Sequence, residues 1–150
     1  MARPPSVGGL ATNIIMENCI FCKIIRGELP SSKVYEDEHV VAVLDIHPVT
    51  SGHILVVPKI HCDDLLGCDF TVASQMMNAA QKVGAAVMKA TGTAGFNLGV
   101  NNGATAGQVI FHLHMHVIPR STDDGLHLWP AKEYQDGEMK EIAQRIKDHL

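Results

Sequence analysis

The stretch Phe111-His112-Leu113-His114-Met115-His116-Val117-Ile118-Pro119-Arg120 alternates imidazoles with apolar side chains from His112 to Val117. Side chains along a β-strand point to opposite faces in turn. The pattern therefore predicts a strand over 109–118 with His112, His114 and His116 on one face and Leu113, Met115 and Val117 on the other. Successive imidazoles on such a face stand roughly 6 to 7 Å apart. Three chemistries suit them: a solvated face, chelation of one catalytic metal, or an acid–base and nucleophile array for phosphate chemistry. The preceding residues discriminate. Asn101, Asn102, Gly103, Gly107 and Gln108 offer amides and backbone N–H groups, which are donors for an anionic oxygen rather than ligands for a cation. The array acting on phosphate is the reading they favour.

Outward from this stretch, short strands are expected over 33–36, 40–45, 53–58 and 96–100, the third from the β-branched run Ile54-Leu55-Val56-Val57. A short helical turn fits 20–25, ended by Gly27 with Pro30 beyond it. Asp69 is an N-cap candidate for one long helix over 70–90, whose positions Val72, Met76, Ala80, Val83 and Val87 keep a helical period and which Gly92 ends. A terminal helix is expected over 137–149. Strands, one helix, then more strands favour an α+β fold with an antiparallel sheet over alternating βαβ units.

At 150 residues, 46% hydrophobic and 19% charged, the composition suits a globular domain over 17–150 behind a flexible leader over 1–16, with Met16 an alternative start. A formal net charge of −4 gives no electrostatic reason to expect nucleic acid or an anionic membrane as partner. The leader carries no apolar stretch of the secretory kind, so a cytoplasmic location is expected. That location argues against a disulfide framework, and Cys62 and Cys68 read as small structural side chains. Cys19-x-x-Cys22 can be a metal clip or a redox pair.

The segment HLHMHVIP resembles the signature of the histidine-triad (HIT) nucleotide-binding superfamily, in which three histidines alternate with apolar residues. Cys19-Ile20-Phe21-Cys22, Leu44-Asp45-Ile46, Gly52-His53 through Lys59-Ile60-His61, and Asn101-Asn102-Gly103 before Gly107-Gln108 follow the same family's order and spacing. The likeness is greatest to the Hint branch, the purine nucleoside phosphoramidases. It implies a HIT-like sheet, a homodimer joined through a continuous sheet, and cleavage of AMP-linked phosphoramidates through a nucleotidyl-histidine on His114. Dinucleoside polyphosphate hydrolysis and a weakly catalytic nucleotide-binding role are the alternatives within that resemblance.

By the same resemblance, His116 contacts a phosphate oxygen or protonates the departing amine, and His53 is a fourth active-site histidine. Asp45 takes the ribose hydroxyls, with Ile46 beside the base. Asn101 lies on the leaving-group side, and Gln108 with the backbone N–H groups after it stabilises phosphoryl charge. Cys19, Cys22, His61 and His112, the first histidine of the triad, form a structural zinc set. Trp129-Pro130 resembles the aromatic that reaches towards the partner's active site. One position departs: Val109 stands where Hint members commonly carry serine or threonine, so a side-chain hydroxyl contact is lost.

Overall fold

A computed structural model describes residues 16–150, and the leader expected over 1–16 lies outside the described residues except for Met16. The elements run α1 (Ile20–Ile25), β1 (Lys33–Glu36), β2 (Val40–Leu44), β3 (Ile54–Pro58), α2 (Phe70–Thr91), β4 (Gly95–Gly99), β5 (Met115–Arg120) and α3 (Glu138–Lys147). The strands form one antiparallel sheet of order β1-β2-β3-β5-β4. The α+β architecture expected from the sequence is thus the one observed.

Alternation along the strands builds two apolar layers. Val40, Ala42, Ile54, Val56, Leu113, Met115 and Val117 face α2 and pack on its Val72, Met76, Ala80, Val83 and Val87. Val41, Val43, Leu55 and Val57 point the other way, onto Phe21 of α1. Each of the larger side chains among them, removed from water, stabilises the fold by about 1.5–3 kcal/mol before entropy is counted. Two local signals set α2. The Asp69 carboxylate accepts the Thr71 N–H at 2.8 Å, and Gly92 ends the helix at φ 69°. Gly84 is required by packing rather than by a turn, because a Cβ there would lie 2.7 Å from the Phe96 ring.

Two expectations need correction. The strand predicted over 109–118 is shorter and later: β5 begins only at Met115 and runs to Arg120. Its partner β3 ends at Pro58, whose carbonyl accepts from the His112 ring rather than from a neighbouring strand's N–H. Upstream, the Leu113 N–H turns to the Cys62 carbonyl at 2.7 Å. The alternation of faces nevertheless continues through this irregular stretch, with Leu113 buried on the α2 side. Pro119 is tolerated in β5 because at that level the strand pairs only with β4.

The second correction concerns Cys62 and Cys68, which are joined in a disulfide with Cα atoms 5.3 Å apart. The turn between them, where Asp64 Oδ1 accepts the Gly67 N–H, folds the chain back and brings the two together. Among the described residues, no helix is long and apolar enough to cross a membrane. The terminal helix is present, but α3 has no buried residue.

Candidate active site and metal cluster

His112, His114 and His116 lie on the face of the sheet away from α2, and with His61 and His53 they form two groups. His112 is fully buried and belongs to the first. Its Nε2–H donates to the Pro58 carbonyl at 2.9 Å, leaving Nδ1 with a bare lone pair. His61 is in the same condition, because its Nε2–H donates to Asp63 Oδ1 at 3.1 Å. The two bare Nδ1 atoms face each other at 3.1 Å, with Cys19 Sγ 3.3 Å and Cys22 Sγ 3.6 Å from His112 Nδ1. Two lone pairs at that distance repel unless a proton or a cation lies between them. All four donor atoms fall within 4.8 Å of one another. This donor set fits a closed tetrahedral metal site, and the four residues could hold a metal ion. Burial raises the Cys22 thiol above its ordinary pKa and pushes His112 down to about 4, so the imidazole is neutral near pH 7.

The second group lines a cleft. His114 Nδ1–H donates to the His112 carbonyl at 2.7 Å, which fixes its tautomer and frees the Nε2 lone pair. The Phe21 ring leans on His114 at 5.1 Å and meets His112 edge-on at 5.7 Å, bracing both. His116 lies 5.0 Å from His114, centroid to centroid, and its Nδ1 is 2.9 Å from Nε2 of buried His53. His53 Nδ1 in turn accepts the Val49 N–H at 3.1 Å, with Asp45 Oδ2 3.6 Å away. Burial lowers the pKa of both rings, His116 to about 4, so both are neutral near pH 7.

Two cavities meet at His116 and Asn101. The larger, of about 720 Å³, has apolar walls that include Phe21, Ile24 and Leu55, with Asp45 and Ile46 in its lining beside His114. Val109 and Ile46 are 86% and 81% exposed, apolar surface presented to whatever occupies this cavity. The smaller, of about 410 Å³, runs past His53, Asn97 and Arg120 to Trp129.

The structure brings together most residues singled out in the sequence, with one change of role. Gln108 is buried and its amide is committed within the protein. Oε1 accepts the Gly103 N–H at 2.8 Å, while Nε2 donates to the carbonyls of Asp63 at 2.6 Å and Ile110 at 3.1 Å. It ties the 101–108 loop to the segment beside His61, so its side chain is not available to a phosphoryl oxygen. Asn101 is more loosely held, with Nδ2 3.4 Å from the Gly107 carbonyl.

Asp63, Phe21 and the Val49 N–H are participants that the sequence did not single out. Asp63 and Phe21 each adjoin a cluster residue, two positions after His61 and one before Cys22. No residue type marks a backbone donor such as Val49.

Comparison with known proteins agrees with this geometry. The HIT domain family matches residues 26–123. The chain belongs to the HIT domain family. It is 40% identical over 149 residues to "Adenylylsulfatase HINT3" of Arabidopsis thaliana, covering 95% of this chain and 75% of that protein. A histidine triad nucleotide-binding protein from Candida albicans superposes with a TM-score of 0.78 at 34% identity, covering 89% of this chain and 97% of that one. A Zn-bound histidine triad family protein from Mycobacterium smegmatis superposes with a TM-score of 0.71 at 31% identity, covering 89% of this HIT chain and 98% of that one.

Proposed function

We propose that this HIT protein hydrolyses AMP-linked phosphoramidates to AMP and an amine through a nucleotidyl intermediate on His114. The observation that carries this reading is the 2.7 Å bond from His114 Nδ1–H to the His112 carbonyl, which leaves Nε2 a free nucleophile beside the larger cavity. The Nε2 lone pair attacks the α-phosphorus, and the phosphorus–nitrogen bond breaks. The departing amine takes a proton from His116, and water then cleaves the phosphorus–histidine bond, returning a proton to His116. The His112 carbonyl stabilises the charge that His114 gains while bonded to phosphorus.

Asp45 receives the ribose hydroxyls and Ile46 lies against the base. Gln108 shapes the loop whose backbone N–H groups, from Val109 onward, stabilise phosphoryl charge. Asn101, at the junction of the two cavities, contacts the leaving-group side. Cys19, Cys22, His61 and His112 are the residues that would hold zinc. Bound there, zinc supplies a crosslink and no chemistry on substrate. A homodimer fits the sheet edges: β1 carries Lys33 and Glu36 and a register irregularity, whereas β4, Gly95-Phe96-Asn97-Leu98-Gly99, has no charge to deter pairing.

A second reading draws on the similarity to the adenylylsulfatase: an adenosine phosphosulfate, from which sulfate leaves. Release of a fluorescent amine from an adenosine phosphoramidate, beside release of sulfate from adenosine 5′-phosphosulfate, separates the two. Turnover of the phosphoramidate that is abolished in His114→Gly supports the proposal. Wild-type protein that binds AMP but turns over neither compound sinks it and leaves a binding role. Turnover of the phosphosulfate alone transfers the mechanism to the second reading.

A further inference from the structure

We propose that His53 is a positioning residue that holds His116 in the tautomer with its proton on Nε2, and that the backbone N–H of Val49 dictates this choice. A backbone N–H can only donate. Since Val49 N–H points at His53 Nδ1 from 3.1 Å, that nitrogen is the acceptor and the single proton of neutral His53 sits on Nε2. His53 Nε2–H then donates across 2.9 Å to His116 Nδ1, which must be bare. The proton of neutral His116 is thereby placed on Nε2, a buried atom with no hydrogen-bond partner among the described residues. The opposite tautomer of His116 sets two N–H groups against each other, either at His116 or at Val49.

The loop 45–53 is built to keep this donor aimed. The Asp45 N–H donates to the His53 carbonyl at 2.9 Å and the His53 N–H to the Thr50 carbonyl at 3.0 Å. The His47 N–H is held by Asp45 Oδ1 at 2.9 Å. Asp45 Oδ2, 3.6 Å from His53 Nδ1, is beyond hydrogen-bond reach, so it does not compete with Val49 for the ring. Burial keeps both rings neutral, which is what makes the tautomer well defined.

The consequence for chemistry rests on the function proposed above: His116 is preset as a donor to the leaving group while His114 is preset as a nucleophile. His114 takes its setting from its own segment, through the His112 carbonyl. His116 takes its setting from a loop more than sixty residues away in sequence.

The test reads the tautomer directly, from two-bond nitrogen–proton correlation spectra of the imidazoles in the full-length protein without substrate. Wild type is expected to show a protonated Nε2 and a bare Nδ1 on His116. His53→Gln, whose amide keeps a donor near the Nε2 position, retains that pattern. His53→Phe, which has no donor, populates the other tautomer and lowers kcat about tenfold or more with KM changed less than twofold. His53→Gln recovers most of that loss.

A wild-type His116 carrying its proton on Nδ1 overturns the proposal. So does a folded His53→Phe protein with unchanged His116 shifts and unchanged kcat. Should His53→Phe fail to fold, the wild-type and His53→Gln spectra still decide. A wild type inactive on the phosphoramidate with the expected tautomer overturns the function proposed above and leaves this inference standing.

Discussion

His112 and His114 are two residues apart and chemically identical, yet the fold gives them opposite surroundings. At His112 both ring nitrogens face the protein: Nε2 donates to Pro58, and Nδ1 points into the cluster with His61, Cys19 and Cys22. At His114 one nitrogen is tied to a carbonyl and the other is left free beside a cavity. The difference shows that a histidine's role follows from how many of its nitrogens the fold consumes. With both nitrogens engaged a ring is held as part of the framework, whereas a nitrogen left free beside a cavity is open to a ligand.

The largest expected effect breaks the reagent side alone. His114→Gly should lower phosphoramidate turnover by about a thousandfold or more. Its melting temperature should stay within a few degrees of wild type, measured by calorimetry at matched metal content. A melting temperature that collapses along with activity would show that His114 is a structural residue like His112.

The reciprocal experiment breaks the crosslink. Cys22→Ser removes a donor from the buried cluster and should cost roughly 3 kcal/mol, or about 10 °C in melting temperature, with loss of bound metal by elemental analysis. Turnover measured well below the melting point should fall by less than about tenfold, because no cluster side chain touches substrate in the proposed mechanism. Equal loss of activity and stability would argue that the metal takes part in the reaction.

Acid should sharpen the contrast through His53 and His116. Burial depresses both pKa values, His116 to about 4 against 6.5 when unfolded. Below about pH 6.5 the unfolded chain binds protons that the native rings refuse. The stabilisation is therefore complete above that pH and declines as pH falls towards about 4. The slope is at most about 1.4 kcal/mol per pH unit for each group, less for partly exposed His116 because of solvent screening. Denaturant melts across this range should lose that slope in His53→Gln for one of the two groups. An unchanged slope would place the depressed groups elsewhere.

The smallest effect concerns Val109. Val109→Ser restores a hydroxyl at an exposed position on the larger cavity. It should change the ratio of kcat/KM between two amine leaving groups by a few-fold, on the order of one neutral hydrogen bond. Identical ratios in the two proteins would show that this position does not face the leaving group.

The sequence alone determined the sheet's composition, the long capped helix, and the separation of three imidazoles from three core residues. These follow from period-2 and period-3.6 patterning and from capping residues, which are properties of neighbouring positions. It also marked Cys19, Cys22, His61 and His112 as one set through family resemblance, and the fold does bring them together.

What only the tertiary structure decided is which partner each donor and acceptor meets. The late start of β5, the commitment of Gln108 to the Asp63 and Ile110 carbonyls, the Cys62–Cys68 bridge and the Val49 N–H that addresses His53 depend on loop closure or on groups distant in sequence. A sequence names the side chains, but a hydrogen bond depends on distance and direction, and backbone donors carry no residue-type signature. His112 and His114 therefore look alike in the sequence, and only Pro58, His61 and the irregular stretch before β5 set one ring into the four-donor cluster and leave the other with a free nitrogen beside a cavity.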